Sequence, residues 1–248
     1  MSRNEISVIG KAWLVVEAFR PTGGPCRLTD LVRRSGLPKT TVHRLTGELV
    51  EAGVIERGED GFHLGRKLFE LGSMVPVQRD LRETALPHMH DLFEATHETI
   101  HLGVRDGLDV VYVEKIRAHT AIDLPSRIGG RLPLSATGVG KALLAFSPQE
   151  VMDEVLSRPL RRLSPHSITD PRRFAEVIGQ IQASGLAYDQ EEAQPGVSCI
   201  AAPVLVSGLA VAALSVAVPT SRFTPARLAP AVKTAALGLS RSLTRPRP

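Results

Sequence analysis

Residues 28–64 read LTDLVRRSGLPKTTVHRLTGELVEAGVIERGEDGFHL, and this stretch decides the architecture of the N-terminal part of the chain. Thr29 is a candidate cap for a helix running through Leu31 and Val32, and Ser35-Gly36 offers a left-handed residue to stop it. Leu37 turns the chain. Pro38 suits the first turn of the next helix, where a missing N–H has no partner to lose. Val42, Leu45, Leu49 and Val50 recur at helical spacing and give that helix a buried stripe, with Gly53 closing it. The opposite face carries Lys39, Thr40, Thr41, His43 and Arg44, short donors and cations at the N-terminal end, which is the end that enters a major groove. Residues 54–57 and 62–64 are short strand-like runs around Gly58-Glu59-Asp60-Gly61, whose Asp-Gly pair is a hairpin signal. Helix, turn, helix and hairpin make a winged helix-turn-helix. Arg57 on the hairpin and Arg66 just beyond it are further candidate DNA contacts, although a solvated face explains the basic start at Gly65-Arg66-Lys67 equally well.

The charge distribution agrees with that reading. Net charge is only +4 over 248 residues, which permits a nucleic-acid partner without demanding one. Yet between Arg20 and Gly47 lie Arg20, Arg27, Arg33, Arg34, Lys39 and Arg44 against the single acid Asp30. Attraction to phosphate there would be strong and salt-dependent.

The remaining composition sets bounds. At 43% hydrophobic and 23% charged, the chain matches a folded globular protein of two ordinary domains, with no apolar run long enough to span a bilayer. Met1-Ser2-Arg3-Asn4-Glu5 does not resemble a secretory leader, so a cytoplasmic location and no membrane partner are expected. Cys26 and Cys199 stand far apart, without a Cys-x-x-Cys or a Cys/His cluster, so reduced thiols are expected, with no metal and no cofactor.

Outward from the opening stretch, residues 6–19 carry an amphipathic helical period that places Trp13 in the core. Residues 78–96 continue helically, but Pro87 interrupts the ladder, so a kinked or two-part linker helix is expected. The expected division is residues 1–76 for the DNA-binding domain, 77–98 for the linker helix and 99–248 for the second domain. There, strands are predicted at 99–104, 110–114, 121–124, 200–206 and 209–218, with turns at Asp106-Gly107 and Ser207-Gly208. Helices are predicted at 139–146, opening near Thr137, at 148–156, from Asp170-Pro171 to Gly185, and from Pro225 to Leu243. The pattern is α+β with a mainly antiparallel sheet. The tail Arg245-Pro246-Arg247-Pro248 is expected to fray.

Several phrases together carry a resemblance: residues 10–19, the run LPLSATGVGKA at 132–142, and Asp189-x-Glu191-Glu192 followed by PGVSCIAAPV at 195–204. The chain resembles the IclR-type bacterial transcriptional regulators over nearly its whole length. The resemblance implies a winged helix-turn-helix joined by a linker helix to a GAF-like effector domain. It also implies homodimers or homotetramers and a double-stranded operator with inverted half-sites. It places a small-carboxylate effector among Gly138, Val139, Asp189, Cys199 and a pair of hydroxyls on the strand at 214–219. Ser215 matches the first hydroxyl, while the second falls on Ala217, which favours a larger or aromatic acid. From the residues alone, the N–H groups at Gly138-Val139-Gly140 suit an anion, whereas Cys199 reads as a small buried hydrophobe and Asp189 as part of a solvated charge cluster.

Two enzyme readings compete. His97-Glu98-Thr99-Ile100-His101 is a literal H-E-x-x-H, but Thr99 and Ile100 open a strand-like run, so the histidines are not expected on one helix face. Ser135 or Cys199 as a nucleophile lacks an ordering context. No catalytic residue is expected.

Overall fold

The computed structural model describes residues 6–21, 23–75, 80–118 and 124–244, which fall into two compact units, residues 1–79 and 80–248. No helix among the described residues is long and apolar enough to cross a membrane.

In the first unit, α1 (Val8–Glu17) starts where the Ser7 hydroxyl accepts from the Gly10 N–H at 3.1 Å. It is followed by α2 (Leu28–Ser35) and α3 (Lys39–Glu51). Gly36 at φ 65° closes α2 as the sequence suggested. Thr29 does not cap it. The cap position falls on Arg27, whose extended backbone enters the helix without a side-chain bond, leaving Thr29 in the first turn. The hairpin β1 (Ile55–Gly58) and β2 (Gly61–Leu64) pairs Ile55 with Leu64 and Glu56 with His63. The chain ahead of α2 joins the hairpin, because Cys26 and Phe62 exchange backbone hydrogen bonds of 2.8 and 2.9 Å. Gly61 (φ 138°) is needed there: a Cβ on it would lie 2.7 Å from the Cys26 carbonyl oxygen. Val15, Phe19, Cys26, Leu31, Val42, Leu45 and Ile55 form the core. Trp13 is not in it. The packed side of this segment is set by Val15 of α1 and by Ala18 and Phe19 just beyond it, and Trp13, two residues before Val15, points about 200° away from Val15 at 54% exposure. Helix α4 (Arg66–Ser73) follows the hairpin.

In the second unit, α5 (Arg82–Thr96) runs through Pro87 as one helix rather than two pieces. It ends at His97, which takes the left-handed conformation, φ 55°. The sheet comprises β3 (Thr99–Asp106), β4 (Asp109–Ile116), β5 (Arg131–Pro133), β6 (Ala187–Gln190), β7 (Val197–Val206) and β8 (Leu209–Pro219). The order is β5-β4-β3-β8-β7-β6, antiparallel throughout. The strand expected at 121–124 lies outside the described residues except for Leu124, which is irregular; the tail at 245–248 also lies outside them. Strands β5 and β6 escaped sequence reading because they are too short to show alternation.

The helices α6 (Gly138–Ala145), α7 (Gln149–Leu156), α8 (Pro171–Ser184) and α9 (Pro225–Thr244) complete the unit. Alternation along the strands divides the sheet into two faces. Ile100, Leu102, Ile200, Leu214 and Val216 pack against Met89 and Leu92 of α5 and against Leu228, Val232 and Leu239 of α9. On the other face Tyr112, Ala187, Ala201 and Ala213 meet α6 and α8 through Val139, Leu143, Phe174 and Ile178. This second face is lined by small residues, which lets α6 approach the sheet closely. Gly103 shows how closely, because a Cβ there would lie 2.7 Å from a methyl of Val139.

Candidate nucleic-acid interface and effector site

On α3, burial of Val42, Leu45, Thr46 and Leu49 leaves Lys39, Thr40, His43 and Arg44 exposed and Thr41 half-buried, all on one face. The Thr46 hydroxyl turns inward and donates to the His43 carbonyl at 2.8 Å, so it adds nothing to that face. Arg44 is held along the helix by Glu48, four residues on. On the hairpin, the exposed Arg57 lies with its guanidinium carbon 5.4 Å from the Phe62 ring centroid, which fixes its direction. A shallow depression of about 450 Å³ joins the two elements, lined by His43 from α3, by Arg27 and Leu28 and by residues 57–62 of the hairpin. Arg66 is exposed at the start of α4, its backbone N–H bound to the Glu56 carboxylate at 3.0 Å. The hairpin tip is acidic. Asp60 accepts a 2.7 Å bond from the His63 ring, and that bond holds its carboxyl below the usual range. One member of the basic cluster faces inward: Arg34 donates to the Ala18 carbonyl at 3.0 Å and reaches the Cys26 sulfur at 3.2 Å.

In the second unit, strand register assembles the other candidate site. One row across the sheet is Asp189, Cys199, Ala217 and Thr99, and the next is Ala187, Ala201, Ser215, His101 and Lys115. The start of α6 lies over the first row. Thr137 caps it by accepting from the Gly140 N–H at 2.9 Å, and a Cβ on Gly138 would lie 2.6 Å from the Cys199 sulfur and 3.6 Å from Cβ of Asp189. Of the residues singled out from sequence, Gly138, Asp189 and Cys199 thus come together. Val139 adjoins them and packs toward Gly103, and Ser215 stands one row away.

Asp189 is 4% exposed, not part of a solvated cluster. Its Oδ1 accepts from the N–H groups of Glu192 (2.7 Å) and Ala193 (3.4 Å). Burial nevertheless pushes its carboxyl up to about 7, with the Lys141 ammonium opposing and Glu192 reinforcing. Burial and the nearby Asp189 push the Cys199 thiol far up, which favours its protonated form.

Sequence reading missed several members. Tyr112, its phenol pushed up by burial with Cys199 and Asp189 adding to it, stands beside Thr137 and stacks edge-on against His101 at 5.3 Å between centroids. His101 is 4% exposed; its Nε2 is 2.7 Å from the Ser126 hydroxyl and its Nδ1 3.4 Å from that of Ser215. Lys141 and Glu192 form a buried ion pair beside Asp189, with Glu192 Oε2 lacking a partner. A lysine inside the apolar run GVGKALLA was the available signal, since a charge there must be paired. His101 was hidden by the H-E-x-x-H pattern. That pattern dissolves in the fold: His97 ends α5, Glu98 pairs with Arg222 at 3.0 Å, and His101 lies in β3. Among the described residues, no group of three or more His, Cys, Asp or Glu side chains is placed to hold a metal.

Comparison with known proteins follows both units. Residues 74–241 match the family model described as bacterial transcriptional regulator IclR C-terminal, and residues 8–59 match the IclR helix-turn-helix domain. The HTH-type transcriptional regulator XynR of Escherichia coli is 34% identical, with 97% of this chain and 98% of that protein covered. An IclR homolog from Microbacterium hydrocarbonoxydans, crystallised with 4-hydroxybenzoate, superposes with a TM-score of 0.87 at 32% identity, covering 96% of this chain and 99% of that one. The IclR of Thermotoga maritima gives 0.77 at 28% identity over 96% and 98%.

Proposed function

Because the chain belongs to the IclR family of DNA-binding bacterial transcriptional regulators, we propose that it is a ligand-responsive, sequence-specific regulator whose second unit binds a small organic, aromatic carboxylic acid. The reading head is the outward face of α3, with Lys39, Thr40, Thr41, His43 and Arg44, and Arg57 and Arg66 contact the DNA backbone. A homodimer or homotetramer would present paired heads to inverted half-sites of an operator.

The observation that carries the effector reading is the start of α6 laid over Asp189 and Cys199. N–H groups of Gly138 and Val139 at a helix N-terminus favour a carboxylate. An Asp189 that keeps its proton near neutrality supplies a donor instead of a repelling charge. Ala201 and Ala217 on the sheet below add no polar groups, which suits an aromatic ring over a two-carbon acid. The relative crystallised with 4-hydroxybenzoate supports the same class.

The test is a thermal-shift screen of aliphatic and aromatic carboxylic acids against the full chain. At a hundred times Kd, a ligand specific for the folded state adds about 2.7 kcal/mol of stability. Aromatic acids raising Tm in wild type but not in Asp189→Ala support the reading. Equal shifts in both proteins remove Asp189 from the site.

A further inference from the structure

Behind the proposed effector site runs a chain of hydrogen bonds, buried at Ser126, His101 and Ser215 and half-buried at Lys115. Lys115 Nζ lies 2.7 Å from the Ser126 carbonyl and 3.2 Å from its hydroxyl. The Ser126 hydroxyl is 2.7 Å from His101 Nε2, and His101 Nδ1 is 3.4 Å from the Ser215 hydroxyl. We infer that this relay, Lys115 to Ser126 to His101 to Ser215, fixes the Ser215 hydroxyl as a hydrogen-bond donor, so that the effector atom it meets is an acceptor oxygen of a carboxylate or carbonyl and not a donor.

The direction is assigned from the contact distances together with proton counting. A lysine ammonium has only donors, so Ser126 Oγ accepts from it. We assign the one hydroxyl proton of Ser126 to its short 2.7 Å contact with His101 Nε2; a Ser126 that instead accepted from both Lys115 and Nε2–H would put the proton on Nε2, the tautomer that overturns the relay. An imidazole that accepts at Nε2 and stays neutral carries its proton on Nδ1. Neutrality is secured by burial, with the charge of Lys115 adding to it; together they hold the imidazolium down to about 3. Nδ1–H therefore donates to Ser215 Oγ, and the Ser215 proton must go elsewhere. Ser215 is 1% exposed and shares its row with Ala201, which offers no side-chain acceptor. Neighbouring groups carry protons too: the Cys199 thiol, which itself receives the Gly138 N–H, and Asp189 near neutrality. A lining composed of donors selects for a ligand rich in acceptors, and His101 and Lys115 act as positioning residues at a distance from it.

This inference rests on the proposed effector site for its consequence but not for its direction, and the experiment separates the two. In the full chain labelled with 15N-histidine, long-range correlation spectra identify the His101 tautomer, with assignment by the signals missing from His101→Gln. The expected result is a single neutral Nδ1–H form, becoming a mixture in Lys115→Met. Binding of 4-hydroxybenzoate is then measured by calorimetry in wild type, Lys115→Met, Ser215→Ala and the double variant. Each single change is expected to weaken binding about tenfold, and the double no further, since all act on one proton. An Nε2–H tautomer in wild type overturns the relay, and so do additive losses in the double variant. If 4-hydroxybenzoate binds none of the proteins, the ligand class proposed above fails, and the tautomer alone decides the relay.

Discussion

Gly138 lies against Cys199 so closely that a Cβ added to the glycine would come within 2.6 Å of the thiol sulfur. The start of α6 and the middle of the sheet are thus in contact through a glycine and a cysteine, and the proposed carboxylate site depends on that approach. Gly138→Ala should force the helix start or the sulfur aside, costing about 1–3 kcal/mol of stability and abolishing the Tm shift by aromatic acids. Because the first unit folds around its own core, affinity for DNA without effector should persist. Cys199→Ala in the same chain removes the obstructing sulfur, and recovery of most of the lost stability in denaturant titrations would bear out the contact. No difference between the single and double variants would refute it.

Arg44 and Lys39 occupy one exposed face of α3 but should behave differently. If Arg44 meets a guanine, Arg44→Ala costs about 1–3 kcal/mol against the operator and little against random duplex. Lys39→Ala should weaken both alike and lower the slope of log K against log salt by about one. Fluorescence anisotropy at several salt concentrations separates these outcomes, and unchanged DNA binding in Arg44→Ala would remove that residue from the interface.

The Lys141–Glu192 pair is buried on both sides, at 1% and 7% side-chain exposure. Lys141→Met leaves a buried carboxylate uncompensated and should cost about 3–5 kcal/mol. Lys141→Met with Glu192→Leu replaces both charges by apolar groups and should recover most of that loss. Urea unfolding of the three proteins measures it; equal instability of the single and double variants would contradict the pairing argument.

Asp189 gives a pH dependence whose sign is fixed. Its carboxyl is raised from 3.8 to about 7 in the folded chain. Between those values the folded state holds a proton that the unfolded state has released, so this group's contribution to stability falls as pH rises through the window. Asp189→Asn, which keeps an acceptor for the Glu192 N–H, should therefore match wild type near pH 4 and exceed it at pH 8, by something on the order of 4 kcal/mol. Carboxylate affinity in wild type should also weaken above pH 7 as the donor proton is lost. Parallel Tm curves for the two proteins across pH 4–8 would show that Asp189 is ionised throughout.

Much of this was legible in the amino-acid order, for physical reasons that differ by element. Helix α3 could be seen because Val42, Leu45 and Leu49 repeat at a helical period, and the hairpin because Asp60-Gly61 separates short strand-like runs. Gly36, Asp170 and Gly185 marked helix ends through short-range backbone preferences. Trp13 went astray because the period of α1 admits more than one buried face and only its packing partners choose. Family likeness singled out Gly138, Asp189 and Cys199, which the fold brings together. The chain through Ser126 and His101 was not, because strand register alone brings His101 beside Ser215, 114 residues away in sequence.

The most direct test of the central claim measures duplex from the gene's own promoter region, fluorescently labelled, against full-length protein with and without a saturating aromatic acid. The account predicts preference for that duplex over random sequence and at least a fivefold change in Kd when the acid is bound, the range of ordinary coupling between two sites. Equal affinity for both duplexes, or a Kd unmoved by an acid shown by calorimetry to be bound, would contradict it.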